Sequence, residues 1–295
     1  MLLNIQHETV YRYSSPVDYT IQHLRLTPRN EAQQQTLNWK IEAPGSYHKH
    51  KDAYGNIGHI LVLDQPHDEI RITVTGQVKI AKENAHLPSD GGEVPLLAFL
   101  QPTRLTAADA GILELASTAY HAKLGKSKVG SVDAMFLLVN QIQKTVAQLP
   151  GTNHVYSTAA EVLEAGAGVC QDHAHIFIAC CRALDLPARY VSGYIHPGVT
   201  DHAASHAWAD VWLDGLGWVS FDVTNANFAA SEHCRLAVGR DYFDACPVRG
   251  VRHGGGVEAM EVVVRVAHPE THGVLVQSMV IEKPIVRDYL KVVQQ

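Results

Sequence analysis

The sequence has 295 residues, 46% of them hydrophobic and 18% charged, which is the composition of a globular protein with a sizeable core. A net charge of −6, no run of Lys or Arg, no apolar stretch of about 18 residues and no secretory signal pattern argue against nucleic-acid and membrane partners. The five cysteines, an odd number in mostly apolar surroundings, favour the reducing cytoplasm over a disulfide framework.

The first 80 residues or so are predicted to form strands. Residues 70–78 alternate between apolar and polar side chains, and residues 37–43 and 59–63 do so less cleanly. A segment rich in Pro and Gly follows, which is typical of a connection between domains. We therefore predict a β-rich N-terminal domain over residues 1–84 and a linker over residues 85–105.

From residue 106 onward the pattern becomes that of alternating helices and strands. Thr106 with Asp109 predicts a helix that begins at Thr106, and Ser131 and Thr158 are predicted to cap the next two helices, the second of which Gly166 ends. Later strands are predicted at residues 189–195, 206–213, 217–222, 260–266 and 274–281. We predict a catalytic core over residues 106–295, and the sequence leaves open which sheet the last two strands join.

The segment Gly168-Val169-Cys170-Gln171-Asp172-His173 is the most informative in the chain. Apolar residues recur from Cys170 to Leu184 at spacings of 4, 3, 4 and 3, which predicts a helix with Cys170 in its first turn. Unpaired N–H groups and the helix dipole favour an anion there, so the thiolate is favoured. Cys180 and Cys181 lie well inside the helix and are expected to be inert.

A nucleophilic thiol needs a base, and the base needs a group that orients it. His206 lies near the start of one predicted strand, and Asp222, sixteen residues later, ends the next. A hairpin of these two strands would bring the imidazole and the carboxylate side by side. Together with Cys170 on its helix, they predict a papain-type arrangement.

These residues closely resemble the bacterial transglutaminase-like superfamily. The matching segments are 168–174, 186–194, 206–208 and 221–225, and segments 11–17, 24–29 and 52–56 resemble the β-rich domain that precedes the core in the bacterial branch. The resemblance implies an α+β fold with a papain/transglutaminase-like core, in which the nucleophile helix packs on an antiparallel sheet. It also implies Cys170 as nucleophile, His206 as general base and acid, and Asp222 as the orienting group. Members commonly have Pro where this chain has Val223, a difference from which we expect little consequence.

Three further side chains are predicted to support the site. The backbone N–H of Cys170 is the natural first donor to an oxyanion. Tyr156 is a candidate second donor, because relatives carry an aromatic or amide donor in that region; the alternative is a packing residue. Gln171 is expected to support the site without acting on the substrate. Trp208 shares a strand face with His206, and it is either sheet core or a wall of the acyl site.

Histidine spacing disfavours a metal site around the nucleophile. His173 and His175 are two residues apart on a helix, so they point to different faces, and we expect His175 in the core and His173 near the rim. His202 and His206 are four apart but lie where a loop enters a strand. We predict no metal ion and no other cofactor.

We therefore predict a thiol-dependent enzyme, a cysteine protease or amidase, that forms a thioester with a peptide or small amide substrate. Hydrolysis is preferred, because the sequence from Ile195 to Ser205 is rich in polar residues and suggests a wet entrance. The alternatives are an amine-accepting protein-glutamine transglutaminase and a catalytically silent binding protein on the same fold. A metal-dependent protein is disfavoured by the spacing. The substrate and the oligomeric state are left open.

Overall fold

The computed structural model describes residues 1–81, 86–87, 92–121, 131–149, 154–196, 205–269 and 275–283. Over these residues the chain folds into two large antiparallel sheets and five α-helices. The predicted α+β fold is confirmed. Within these ranges, none of the helices combines the length and the apolar character needed to cross a membrane.

The strands and helices are numbered along the chain. The strands are β1 (Leu2–Thr27), β2 (Gln34–Glu42), β3 (Ser46–Lys51), β4 (Ile57–Leu63), β5 (His67–Ile80), β6 (His86–Leu87), β7 (Ala147–Gln148), β8 (Ala167–Gly168), β9 (Ala188–Ile195), β10 (Ser205–Leu213), β11 (Gly217–Asp222), β12 (Asn227–Phe228), β13 (His233–Gly239), β14 (Val248–Gly254), β15 (Glu258–Ala267) and β16 (Leu275–Lys283). The α-helices are α1 (Ala110–His121), α2 (Val132–Thr145), α3 (Ala159–Ala165), α4 (Cys170–Ala183) and α5 (Tyr242–Ala245). Two short 3₁₀ helices, Leu96–Phe99 and Arg104–Thr106, precede α1.

The first sheet is organised around β1, which is 26 residues long. Its order is β16-β15-β1-β4-β3; β14 and β5 also pair with β1, and β2 pairs with β5. The sequence left the sheet of the C-terminal strands open, and β15 pairs directly with β1 while β16 pairs with β15. The last part of the chain therefore completes the sheet that the first part begins.

The second sheet carries the predicted site. Its order is β12-β11-β10-β9-β13, with β6 paired to β11. Helix α4 packs on this sheet, and the ring of Phe177 lies 5.6 Å from that of Phe221 on β11. The other side of α4 is covered by α1, α2 and α3, so nearly every residue after its first turn is buried. A buried helix of this kind holds its first residues in a fixed position against the sheet.

Local capping signals predicted two helix starts correctly and one wrongly. Ser131 and Thr158 cap α2 and α3 by accepting backbone N–H groups, as expected. The first helix begins at Ala110 rather than at Thr106. The Thr106 hydroxyl bonds to Thr103 and accepts from the buried Arg182 guanidinium, so it is not available as a cap for α1. Asp109 accepts the N–H of Ile112 in its place.

Two amide side chains from the first sheet region complete the outer edge of β13. Gln34 donates to the carbonyl of Arg235 and accepts its N–H, at 2.8 and 2.7 Å. Asn56 does the same with Val238, at 2.7 and 2.8 Å. Both amides are buried. They satisfy backbone groups that a neighbouring strand would otherwise bind.

Candidate active site

The head of α4 places the Cys170 thiol. Val169 is extended (φ −115°, ψ −179°), and its N–H donates to the Asp172 carboxylate at 2.9 Å. Gly168 comes so close to the helix that a Cβ there would lie 2.9 Å from both Asp172 and Val162. The chain therefore enters the helix with Cys170 as the first helical residue, where backbone N–H groups have no intrahelical partner.

Cys170 differs from the other four cysteines in its exposure. All five lie in the described part of the chain and none is in a disulfide. Cys170 is half-buried, whereas the others are buried. Burial raises the pKa of the thiols of Cys180, Cys181, Cys234 and Cys246, which keeps them protonated and unreactive.

The β10–β11 hairpin brings His206 and Asp222 together, as the spacing predicted. The paired segment ends at Ala209 and Phe221, and the two side chains meet just beyond it. His206 Nε2 lies 2.9 Å from Asp222 Oδ2. Cys170 also lies close enough to this imidazole for its side chain to contribute to the raised pKa of His206. The structure thus brings together the three residues predicted as nucleophile, base and orienting group.

The charges around His206 favour the protonated form of its imidazole. Burial opposes protonation of His206, but the hydrogen bond and charge of Asp222, with a smaller contribution from Cys170, raise the pKa of His206 to about 10. Burial likewise opposes ionisation of Asp222, but the hydrogen bond and charge of His206 and the hydrogen bond of His233 lower the pKa of that carboxyl. Asp222 is fully buried, so its charge acts on His206 with little screening by water.

His233, at the start of β13, is a member of the site that the sequence did not reveal. Its Nε2 lies 2.8 Å from the same oxygen, Asp222 Oδ2, that bonds to His206. Burial lowers the pKa of His233, so the ring is neutral and its Nε2–H donates to the carboxylate. The only local signal was a histidine at the head of an apolar strand, and nothing in the spacing indicated that this strand returns to Asp222.

Trp208 packs behind the imidazole rings rather than at the surface. It is 1% exposed, and its ring centroid lies 6.2 Å from that of His206 and 5.2 Å from that of His233, with the latter pair edge to face. Gly193 makes room for it, since a Cβ there would lie 2.5 Å from the indole. Trp208 is therefore a core residue in contact with the site, and no exposed wall of an acyl channel is formed by it.

Other predicted side chains lie near the site in different environments. Tyr156 is 53% exposed and its ring lies 5.3 Å from that of Phe243. Gln171 is half-buried in the first turn of α4. Their supporting roles stay predictions.

The two histidines that follow Cys170 are both buried. His175 accepts the N–H of Tyr242, which confirms the expected core position. The prediction that His173 lies near the rim is wrong. It is buried, with its ring nitrogens 3.1 Å from the Thr224 hydroxyl and 3.2 Å from the Val146 carbonyl. His202 lies outside the described residues.

Donor atoms of His206, Asp222 and His233 lie within 4.8 Å of one another, close enough for one metal ion to contact all three. The two imidazole contacts to the carboxylate, at 2.9 and 2.8 Å, are those of N–H donors and already satisfy it. The donor set therefore supports proton transfer and orientation of His206 without an ion.

A thiol at the head of a buried helix, facing an imidazole and a carboxylate on a neighbouring hairpin, is the arrangement of the papain-like class of proteins. Residues 119–223 match the family model described as "Transglutaminase-like superfamily", and residues 3–79 match "Bacterial transglutaminase-like N-terminal region". The chain belongs to the transglutaminase-like superfamily.

Curated relatives cover almost the whole chain. An uncharacterized protein of Mycobacterium leprae is 30% identical over 284 residues, which are 90% of this chain and 98% of that protein. An uncharacterized protein of Mycobacterium tuberculosis is 30% identical over 270 residues, 84% of this chain and 86% of the relative. Among solved structures, one named a "Putative Cysteine Protease from Cytophaga hutchinsonii" has a TM-score of 0.72 at 22% identity and covers 92% of each chain. This likeness shows that the two chains share a fold.

Proposed function

We propose that the protein is a thiol-dependent enzyme that cleaves an amide bond in a peptide or small amide through a thioester of Cys170. The observation that carries the proposal is the series of Cys170, His206 and the buried carboxylate of Asp222, in which His206 hydrogen-bonds to Asp222 and Cys170 contributes to the raised pKa of His206. The thiol is half-buried and lies beside an imidazole of raised pKa, and a cysteine next to an imidazolium is an activated nucleophile.

Each step of the reaction uses a group of this series. The Cys170 thiolate attacks the carbonyl carbon, and the oxyanion that forms is met by the backbone N–H of Cys170 and, as we propose, by Tyr156. The carbon–nitrogen bond then breaks as the His206 imidazolium gives its proton to the leaving amine. His206 next takes a proton from water, whose oxygen attacks the thioester. The carbon–sulfur bond breaks, the acid leaves, and the thiolate and imidazolium are restored.

Asp222 and His233 act through His206 in this proposal. The carboxylate orients the imidazole and stabilises its charge. His233 donates to the same carboxylate oxygen and is held by packing against Trp208. Because its ring is neutral and buried, we propose that His233 positions Asp222 and takes no proton during the reaction.

Three points support water over an amine as the acyl acceptor. Trp208 is buried, so it does not form the apolar channel that would exclude water from a thioester. The sequence between Ile195 and Ser205 is polar, although residues 197–204 lie outside those that the structure describes. The Cytophaga structure is named a "Putative Cysteine Protease", a name that points the same way. An amine-accepting transglutaminase is the second candidate.

The test is product analysis by mass spectrometry. Peptide amides, including one with an internal glutamine, are incubated with the protein, with and without an excess of a primary amine. We expect mainly free acid and released amine or ammonia in both cases. A dominant amine adduct would instead identify a transferase and leave the roles of the three residues intact.

Variants separate catalysis from contamination. Cys170→Ala and His206→Ala should each remove nearly all turnover, and the double variant should be little worse, because the two groups act as a unit. Cys246→Ala, which replaces a buried cysteine outside the site, is the matched control and should retain activity. Turnover by Cys170→Ala equal to that of the wild type would refute the proposal. It would assign the activity to a contaminant and favour a silent binding protein.

We also propose that the enzyme acts in the cytoplasm. The five free cysteines support a reducing compartment, because the partly exposed thiol of Cys170 would be open to oxidation elsewhere. Fractionation of the cells that produce the protein tests this, and recovery outside the cytoplasmic fraction would contradict it.

A further inference from the structure

Three potential metal ligands from distant parts of the chain meet outside the active site. His196 follows β9, Glu232 precedes β13, and His268 follows β15. Glu232 Oε2 lies 3.6 Å from His196 Nδ1 and 3.6 Å from His268 Nε2. We propose that these three side chains, the His196–Glu232–His268 cluster, bind a divalent transition metal ion such as Zn²⁺. The proposal does not depend on the proposed enzyme activity.

The backbone brings His196 and Glu232 together. In the β9–β13 ladder Ile195 lies opposite His233, so the next pair along is His196 and Glu232. The His196 N–H donates to the Glu232 carbonyl at 2.9 Å, which extends the ladder by one bond. The first two ligands therefore lie side by side at the end of two paired strands, a position that requires no rearrangement of the chain.

A second contact orients the third ligand. His268 Nδ1 lies 3.2 Å from the Leu2 carbonyl of β1, and because a carbonyl can only accept, Nδ1 carries the proton. In the neutral ring this tautomer leaves Nε2 as the nitrogen with a lone pair, and Nε2 is the atom that lies beside Glu232. Metal-bound histidines usually donate their other ring N–H to a carbonyl or carboxylate in this way, which sets the tautomer for binding.

The donor set and spacing fit zinc better than calcium or magnesium. Two ligand atoms bound to one tetrahedral Zn²⁺ lie about 3.4 Å apart, close to the two separations of 3.6 Å. Two imidazoles and a carboxylate suit Zn²⁺, Co²⁺ or Ni²⁺, whereas Mg²⁺ and Ca²⁺ prefer oxygen ligands alone. The side chains are 15–25% exposed, so water can reach the ion as a fourth ligand.

The rings of His196 and His268 are stacked, and binding of an ion must separate them. Their centroids lie 3.9 Å apart with a tilt of 30°. Two imidazoles on one tetrahedral ion diverge from it, so the rings must splay when the ion enters. The bound ion would join β15 of the first sheet to β9 and β13 of the second, and it would stabilise the folded chain by mass action.

The experiment uses a parent protein in which Cys170→Ala and His206→Ala remove the active-site donors. The parent is stripped with EDTA, exchanged into buffer, and titrated with ZnCl₂ by isothermal titration calorimetry. We expect one Zn²⁺ per chain and a higher thermal unfolding midpoint. Co²⁺ in its place should give the visible bands of a four-coordinate site with no thiolate charge-transfer band.

Ligand variants decide whether the cluster is the site. His268→Ala and Glu232→Gln, made in the parent, should each weaken Zn²⁺ binding at least about 100-fold, since changes one shell further out already cost 10–100-fold. His253→Ala, which removes an exposed histidine, is the control and should bind like the parent.

Two outcomes would exclude a zinc site at this cluster. A parent that binds no Zn²⁺, or ligand variants that bind it as tightly as the parent, would overturn the proposal. Thermal unfolding in EDTA shows whether each variant is folded, and His268→Gln, which keeps a polar side chain, replaces any alanine variant that is not.

Discussion

A single carboxylate oxygen organises the site at the scale of residues. Asp222 Oδ2 is 2.9 Å from His206 Nε2, 2.8 Å from His233 Nε2 and 2.7 Å from Asn225 Nδ2. Three donors on one buried oxygen favour its ionised form and leave the carboxylate no freedom to turn. The orientation of His206 therefore depends on Asp222 and on the two other side chains that hold this carboxylate, His233 and Asn225.

The first prediction concerns His233. His233→Ala should lower kcat roughly 10- to 100-fold with little change in KM, because it removes a hydrogen bond to a charged group worth about 1.5–3 kcal/mol. His233→Gln, which keeps an N–H donor, should recover part of the loss. Steady-state kinetics on the substrate found by product analysis give both values.

A matched control separates positioning from simple destabilisation. His7 is as buried as His233 but lies in the first sheet, where it bonds to Tyr194 and Thr9. His7→Ala should cost stability and leave kcat of the folded fraction near that of the wild type. Equal kcat in His233→Ala and wild type would contradict the positioning role.

The second prediction concerns the reactivity of the thiols. Iodoacetamide near pH 7 should label Cys170 well before the other four cysteines, because Cys170 alone among them is half-buried and lies beside a protonated imidazole. Peptide mapping by mass spectrometry measures the rates, and His206→Ala should slow the labelling of Cys170. Protein unfolded in guanidinium chloride should lose the selectivity. Uniform labelling of the folded protein would argue against an activated thiol.

At the scale of elements, local signals predicted the structure and distant contacts escaped prediction. The start of α4 and the β10–β11 hairpin follow from periodicity, capping and turn residues within a few positions of one another. The predicted start of α1 was wrong because Arg182, 76 residues away in sequence, binds the Thr106 hydroxyl. The pairing of β15 with β1 and the contact of His233 with Asp222 left no local pattern at all.

The third prediction tests how tightly the chain must approach the head of α4. Gly168→Ala should destabilise the fold by about 1–3 kcal/mol, because the new methyl group overlaps Asp172 and Val162. It should also lower activity, since Asp172 must move away from the Val169 N–H that it binds. Urea unfolding and kinetics measure the two effects.

Gly111→Ala is the matched control for this substitution. Gly111 lies in α1, and a Cβ there would be 3.5 Å or more from its neighbours. Alanine is the better helix former, so this variant should be neutral or stabilised by up to about 1 kcal/mol. If both variants were equally stable, the close approach at Gly168 would not constrain the helix.

At the scale of the whole molecule, the first sheet region supports the second through β13. Gln34 and Asn56 supply side-chain amides in place of a neighbouring strand, and β13 begins with His233. An edge strand that is held by a second structural unit cannot fray independently of it. The N-terminal part of the chain therefore contributes to the geometry around Asp222 without lying in the site.

The fourth prediction follows from this support. Asn56→Ala should destabilise the protein by about 2–4 kcal/mol, because it leaves a buried N–H and a buried carbonyl of Val238 without partners. Asn38→Ala, at an exposed position on β2, should change stability by less than about 0.5 kcal/mol. The free energy of unfolding in urea decides between them, and equal values would show that the amide contact to β13 adds nothing.

The long strand β1 also determines how this chain must acquire its fold. Asn4 of β1 pairs with Gln77 on one side and with Ala267 on the other. At 5–20 residues per second, synthesis of the chain between those partners takes roughly 10–40 s. For that interval one edge of β1 is open, and an open edge can pair with another chain. Contacts of such high sequence separation also close slowly. The newly made protein is therefore expected to depend on protection of its N-terminal half until its last strands arrive.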